Sequence, residues 1–221
     1  MEEPDGSYLE PVDVAAILHA LPQLVEVELR GVNSKDGAAL AIRALRHLPK
    51  LQKLKMADGD ALVHRSLGQP WSSSLTSLNL DRSELIHLPV LQALLEQHSS
   101  TLHLLSLPLL PHYPDFPHFS LPHLEELRLW TTETSAPLLR SFSDSPLRRL
   151  RVKMYVEGDP IKMEVEAVLK TVQHHGGTLK RVRVTARAFN AAEQDEQEVL
   201  DRLEALCLKQ GIKYQYELES P

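Results

Sequence analysis

"LPHLEELRLWTTET", residues 121–134, spaces its leucines three, three and two residues apart, at Leu121, Leu124, Leu127 and Leu129. A helix returns apolar residues every three to four positions and a half-buried strand every two, so neither period alone produces this spacing. A turn that leads one leucine into a short strand does. Leu127 and Leu129 then share one face of the strand, Leu124 sits on the turn leading in, and the residues between them face the other way.

The pattern recurs along the chain. L-x-x-L-x-L aligns Leu24, Val27 and Leu29 with Leu51, Leu54 and Met56, then with Leu75, Leu78 and Leu80. Leu102, Leu105 and Leu107 follow, then Leu124, Leu127 and Leu129. Leu147, Leu150 and Val152 precede Leu179, Val182 and Val184. The start-to-start intervals are 27, 24, 27, 22, 23 and 32 residues, a period that marks a stacked repeat. The intervening stretches read as helices. Ala39, Ile42 and Leu45 form one stripe, with Ser34 as N-cap, and Leu88, Leu91, Leu94 and Leu95 form another. Asp159 and Pro160 open a helix that buries Ile161, Val165, Leu169 and Val172 and ends at Gly176–Gly177. Val199, Leu203 and Leu206 define a last helix stopped by Gly211, and "IKYQYEL" follows as a strand of unassigned register.

Strand, turn and helix in this order resemble the leucine-rich-repeat superfamily over about residues 12–218. The irregular intracellular arrays, ribonuclease-inhibitor-like and F-box-associated, are the most similar, since units here open with "LPQLVEVEL", "LPKLQKLKM" and "LPHLEELRLW". The resemblance implies an α/β solenoid of about seven degenerate repeats, with a curved parallel sheet inside and helices outside. It implies one domain over residues 1–221, with a flexible N-terminus at 1–11 and a proline-rich loop insertion at 108–120. It also implies a protein-recognition scaffold, with a substrate-receptor module of a ubiquitin ligase as one form. Residues 1–20 contain no F-box counterpart.

Composition narrows the remaining classes. The chain has 221 residues and a net charge of −6, which gives no global attraction to nucleic acid or anionic membrane. No apolar run reaches the roughly 20 residues that cross a bilayer, and "MEEPDGSYLE" lacks the pattern of a signal peptide. The single cysteine, Cys207, cannot form a disulfide framework, so the chain reads as cytoplasmic or nuclear. No phosphate-binding glycine loop, metalloprotease motif or nucleophile elbow is present, so no enzyme activity, cofactor or small-molecule substrate is expected. Cys207, among apolar neighbours, reads as a small core residue. His112, His118 and His123 lack the tight spacing of a zinc site, and Tyr113, Phe116 and Phe119 either tuck under their own loop or form an exposed hook.

Charge is sorted along the array. Residues 145–187 hold ten Lys/Arg against four Asp/Glu, and residues 188–221 hold eight Asp/Glu against three Lys/Arg. The outward strand positions of the C-terminal half are Arg128, Trp130, Arg149, Arg151, Lys153, Arg181 and Arg183, and these are the candidate partner-binding residues. Crowded like charges favour an anionic ligand. Alternatively their stems cover the sheet with solvated heads, or the acidic segment "AEQDEQE" folds back and neutralises them. A protein partner is the leading reading, and polyanion binding, to RNA or phosphorylated segments, is the alternative. Nucleic acid is disfavoured because stacking aromatics are sparse on these strands. On sequence alone, Arg149→Glu/Arg151→Glu should lose partner affinity without losing stability.

Overall fold

The computed structural model describes residues 10–31, 35–57, 65–80, 87–110, 113, 115–131, 135–156, 161–188 and 194–219. The N-cap positions Ser34, Asp159 and Pro160 lie outside the described residues.

Each L-x-x-L-x-L unit becomes a strand of one open, all-parallel sheet. The strands are β1 (Glu26–Arg30), β2 (Lys53–Ala57), β3 (Ser77–Asn79), β4 (Leu104–Leu107), β5 (Glu126–Thr131), β6 (Arg149–Val156), β7 (Arg181–Ala188) and β8 (Lys213–Glu219). They lie side by side in chain order, β1 to β8. The register keeps the pattern aligned, with Val27 opposite Leu54, Leu105 opposite Leu127, and Leu150 opposite Val182. The apolar positions therefore form continuous rows, and Leu54, Leu78, Leu105, Leu127, Leu150 and Val182 are all buried.

A repeated hydrogen-bond joint sets this register. The residue after the first leucine of a unit presents a carbonyl that accepts two successive amides from the next unit. Val25 accepts from Gln52 and Lys53, His103 from Glu125 and Glu126, and Arg148 from Lys180 and Arg181. The Leu-Pro-x-Leu stretches turn the chain just before it. Leu24 N–H donates to Leu21 at 3.2 Å and Leu124 N–H to Leu121 at 3.1 Å. Proline suits the second position of such a turn, where its fixed φ costs nothing.

Helices α1 (Pro11–Ala20), α2 (Lys35–Arg46), α3 (Leu88–His98), α4 (Ser135–Arg140), α5 (Ile161–His175) and α6 (Gln194–Lys209) supply the other layer, with a 3-10 turn at Arg65–Gly68. α1 packs on α2, α4 on α5 and α5 on α6. Helix residues such as Ile42, Leu91, Val165, Val199 and Cys207 share one core with the strand leucines. The outward positions of the sheet form the other, helix-free face. Between β4 and β5 the described residues form no helix or strand. Phe119 instead stacks on Phe142 at 5.2 Å and fills the core there, while Tyr113 meets Phe116 edge-on at 5.4 Å. Phe119 is therefore a core residue, Phe116 packs partly against the core, and Tyr113, half-buried, rests on Phe116.

The last strand takes a register that the leucine pattern does not specify. Tyr214 and Tyr216 stand opposite Val182 and Val184 and pack against the core. The position matching Leu179 falls on Gly211, whose φ is +67°. Gly211 N–H donates to Leu208 and Ile212 N–H donates to Cys207, the Schellman pair that closes a helix C-terminus. Ile212 then supplies the apolar contact that a leucine gives elsewhere, and it is buried.

Candidate functional site

Parallel pairing of β5 to β8 brings together side chains that lie 23 to 32 residues apart in sequence. Arg128, Arg151 and Arg183 fall in one row across three strands, with Gln215 next on β8. Arg149 and Arg181 lead in below them, opposite Glu126 and Lys213. Trp130 stands opposite Lys153, and Thr185 continues that row to Glu217.

Glu126 organises the cluster. Its side chain is only 1% exposed, and three guanidiniums converge on it. Arg128 Nε lies 2.7 Å and Arg151 Nε 3.4 Å from Oε1, and Arg149 Nε lies 2.9 Å from Oε2. A buried carboxylate is tolerated only when its oxygens are paired in this way. Burial, then the nearby Arg128, Arg183 and Arg149, push the Arg151 guanidinium below its ordinary value against the pull of Glu126.

Two further carboxylates come from β8. Arg183 Nη2 donates to Glu217, and Lys153 Nζ lies 2.8 Å from Glu219. Both carboxylates belong to the acid-rich residues 188–221, so that tail does neutralise part of the patch, though not through "AEQDEQE", whose described residues from Gln194 onward lie in α6, which packs on α5 and β8. Arg181 is exposed and has no ion-pair partner among the described residues. Seven described cations on this half of the face, Lys213 included, thus meet three carboxylates. The other end is closer to balance, with three cations on two carboxylates: Lys53 pairs with Glu26 at 3.1 Å and Lys55 with Glu28 at 2.9 Å, while Arg30 also joins Glu28.

Trp130 lies within β5 and Tyr155 within β6. Their diagonal placement on paired strands stacks the rings, with centroids 5.4 Å apart and planes at 22°. Lys153 Nζ sits 5.0 Å from the Trp130 ring and 5.6 Å from Tyr155, a cation–π arrangement worth about 0.5–1 kcal/mol at an exposed site. A concavity of about 240 Å³ opens beside them, walled by Arg128, Trp130, Arg151, Lys153, Arg183 and Glu219.

The seven sequence-predicted residues therefore share one face, with Arg181 at its lower edge. Sequence reading missed Glu126 as the hub, Tyr155 as the stacking partner and Glu217 and Glu219 as counter-ions. Glu126 could have been found as a candidate, since it is the one acid at an outward position of β5, β6 and β7. The histidines do not gather. His118 Nε2 contacts Asp144 at 3.0 Å, His123 lies against His103, and His112 falls outside the described residues. Among the described residues no three potential ligands stand close enough to hold a metal. Cys207 is fully buried, and burial pushes its thiol up to about 11, which keeps it protonated and unreactive. A cleft of about 380 Å³ lies on the helix side between α4 and α5, where the six-residue α4 leaves the flank of the longer helix uncovered.

No family model and no curated protein matches this chain. Among the described residues no helix is long and apolar enough to cross a membrane.

Proposed function

We propose that the chain is a non-catalytic recognition scaffold of the leucine-rich-repeat type, binding an acidic region of a partner protein on the β5–β8 half of its helix-free face. The observation that carries this reading is the charge imbalance around Glu126, set beside the paired charges at β1–β2. Arginine forks suit bidentate contact with carboxylates, and half-buried Trp130 offers an aromatic anchor of the kind that interfaces favour. A substrate-receptor role in ubiquitin ligation follows from the sequence resemblance alone. RNA is the weaker reading, because base stacking needs open ring faces and Trp130 and Tyr155 spend one face each on the other.

The structure changes which substitution is the clean probe. Arg149 and Arg151 hold a buried carboxylate, so reversing both would bring like charges against Glu126 and unsettle the fold. Arg181 has no ion-pair partner among the described residues, and Lys153 holds only the partly exposed Glu219, a surface pair worth about 0–1 kcal/mol. Affinity capture with quantitative mass spectrometry should show the same proteins retained by wild type and by Lys53→Gln, and depleted for Lys153→Glu/Arg181→Glu. Retention should also fall between about 50 and about 300 mM salt, as screening of exposed charges requires. An unchanged capture profile for the folded double variant would refute the surface.

A further inference from the structure

Arg128 and Arg151 reach the same oxygen of Glu126, and Arg149 reaches the other. One carboxylate cancels one of these three charges, so two remain. A second carboxylate, brought by an Asp or Glu of a partner, would still leave one. A phosphomonoester carries about −1.5 to −2 at neutral pH and closes the balance.

The donors point to the same ligand. Arg183 lines the concavity and spends Nη2 on Glu217, while its Nε is buried with no hydrogen-bond partner. A buried guanidinium donor left without an acceptor is costly, and Nη2 keeps a second hydrogen with which an oxyanion meeting Nε can pair. Three guanidiniums from three neighbouring strands surround a concavity of about 240 Å³. A carboxylate offers two oxygens in one plane, whereas a phosphoryl group offers three in a tripod that three strands can meet together.

We infer that this concavity receives a phosphorylated side chain of the partner protein, held by Arg128, Arg151 and Arg183 with Trp130 flanking the residue that bears it. The inference rests on the recognition reading above and specifies the ligand for the same face. A phosphodiester backbone fits less well, since each linkage brings a single charge and the bases would compete with Tyr155 for the Trp130 ring.

The test uses the full chain and fluorescence anisotropy with three degenerate peptide pools, alike except for a central phosphoserine, aspartate or serine, and with oligouridylate. The phosphoserine pool should bind more tightly than the aspartate pool by about tenfold or more. Arg183→Gln should remove that preference, and Arg151→Gln should do the same if it stays folded by melting. Lys53→Gln, at the far end of the sheet, should leave it intact. Equal binding of the phosphoserine and aspartate pools, both lost in Arg183→Gln, would overturn the phosphate inference and leave the acidic-partner reading standing. A phosphoserine preference that survives Arg183→Gln would overturn the site. Binding of oligouridylate in preference to every peptide pool, or no binding by any pool, would count against both readings.

Discussion

Glu126 makes the basic cluster possible, because three guanidiniums on adjacent strands repel unless a fixed anion lies between them. Glu126→Gln keeps the shape and removes the charge. Urea unfolding should show a loss of about 2 kcal/mol, below the 3–5 kcal/mol of a fully buried broken pair because the arginines are partly solvated. Phosphopeptide affinity should rise in the same variant, so stability and binding move in opposite directions. His98 and His175 give a second test at this scale. Burial holds both rings near a pKa of about 4, with His174 adding a smaller push on His175. His98 Nδ1 accepts from the Leu75 amide at 3.3 Å, which assigns the proton of the neutral ring to Nε2. The unfolded chain takes up these protons near pH 6.5, so between that pH and about 4 it binds more protons than the native state. Stability is thus fully present above pH 6.5 and falls as the pH drops toward 4, by about 1–2 kcal/mol per histidine after allowance for partial solvation. Unfolding free energies at pH 7.5 and 5 should show this decline, and His175→Phe should reduce it by about half, leaving the share of His98.

Strands were legible because their inward positions admit only apolar side chains at a fixed spacing. Leu127→Asp would place an unpaired charge in a fully buried row and should cost several kcal/mol; a melting temperature equal to wild type would contradict the register. α3, α5 and α6 were legible for the same reason. α1 was not, since its sequence PVDVAAILHA carries apolar residues on every side and shows no stripe. α4 is too short, at six residues, to display a period. The register of β8 was hidden because Gly211 and Ile212 replace the leading leucine. Gly211→Ala, at φ +67°, should cost about 1 kcal/mol and loosen β8 first, which amide exchange at Tyr214 and Tyr216 would detect. The candidate surface was legible as a charge bias on outward positions. Glu126 showed only as a lone outward acid; its role as hub and the aromatic pair did not, because they depend on contacts across strands: Glu126 and Arg149 are far apart in sequence and directly opposite in the sheet.

At the scale of the whole molecule, stacking in chain order turns a linear distribution of charge into a spatial one. The β1–β2 end carries neighbouring opposite charges, and the β5–β8 end carries a surplus of arginine around one buried acid. A partner that reads charge should therefore discriminate between two ends of a single face. The most direct test is to measure dissociation constants of one captured partner for two reversal variants of equal charge change. Lys53→Glu/Lys55→Glu alters the paired end, and Lys153→Glu/Arg181→Glu alters the basic end. Both should melt within a few degrees of wild type, since the ion pairs they reverse, Lys53–Glu26, Lys55–Glu28 and Lys153–Glu219, are partly exposed and such pairs are worth about 0–1 kcal/mol. The predicted result is near-wild-type affinity for the first and a loss of about tenfold or more for the second, equivalent to at least about 1.4 kcal/mol. Equal affinities for the two variants, or a loss confined to the first, would contradict the account.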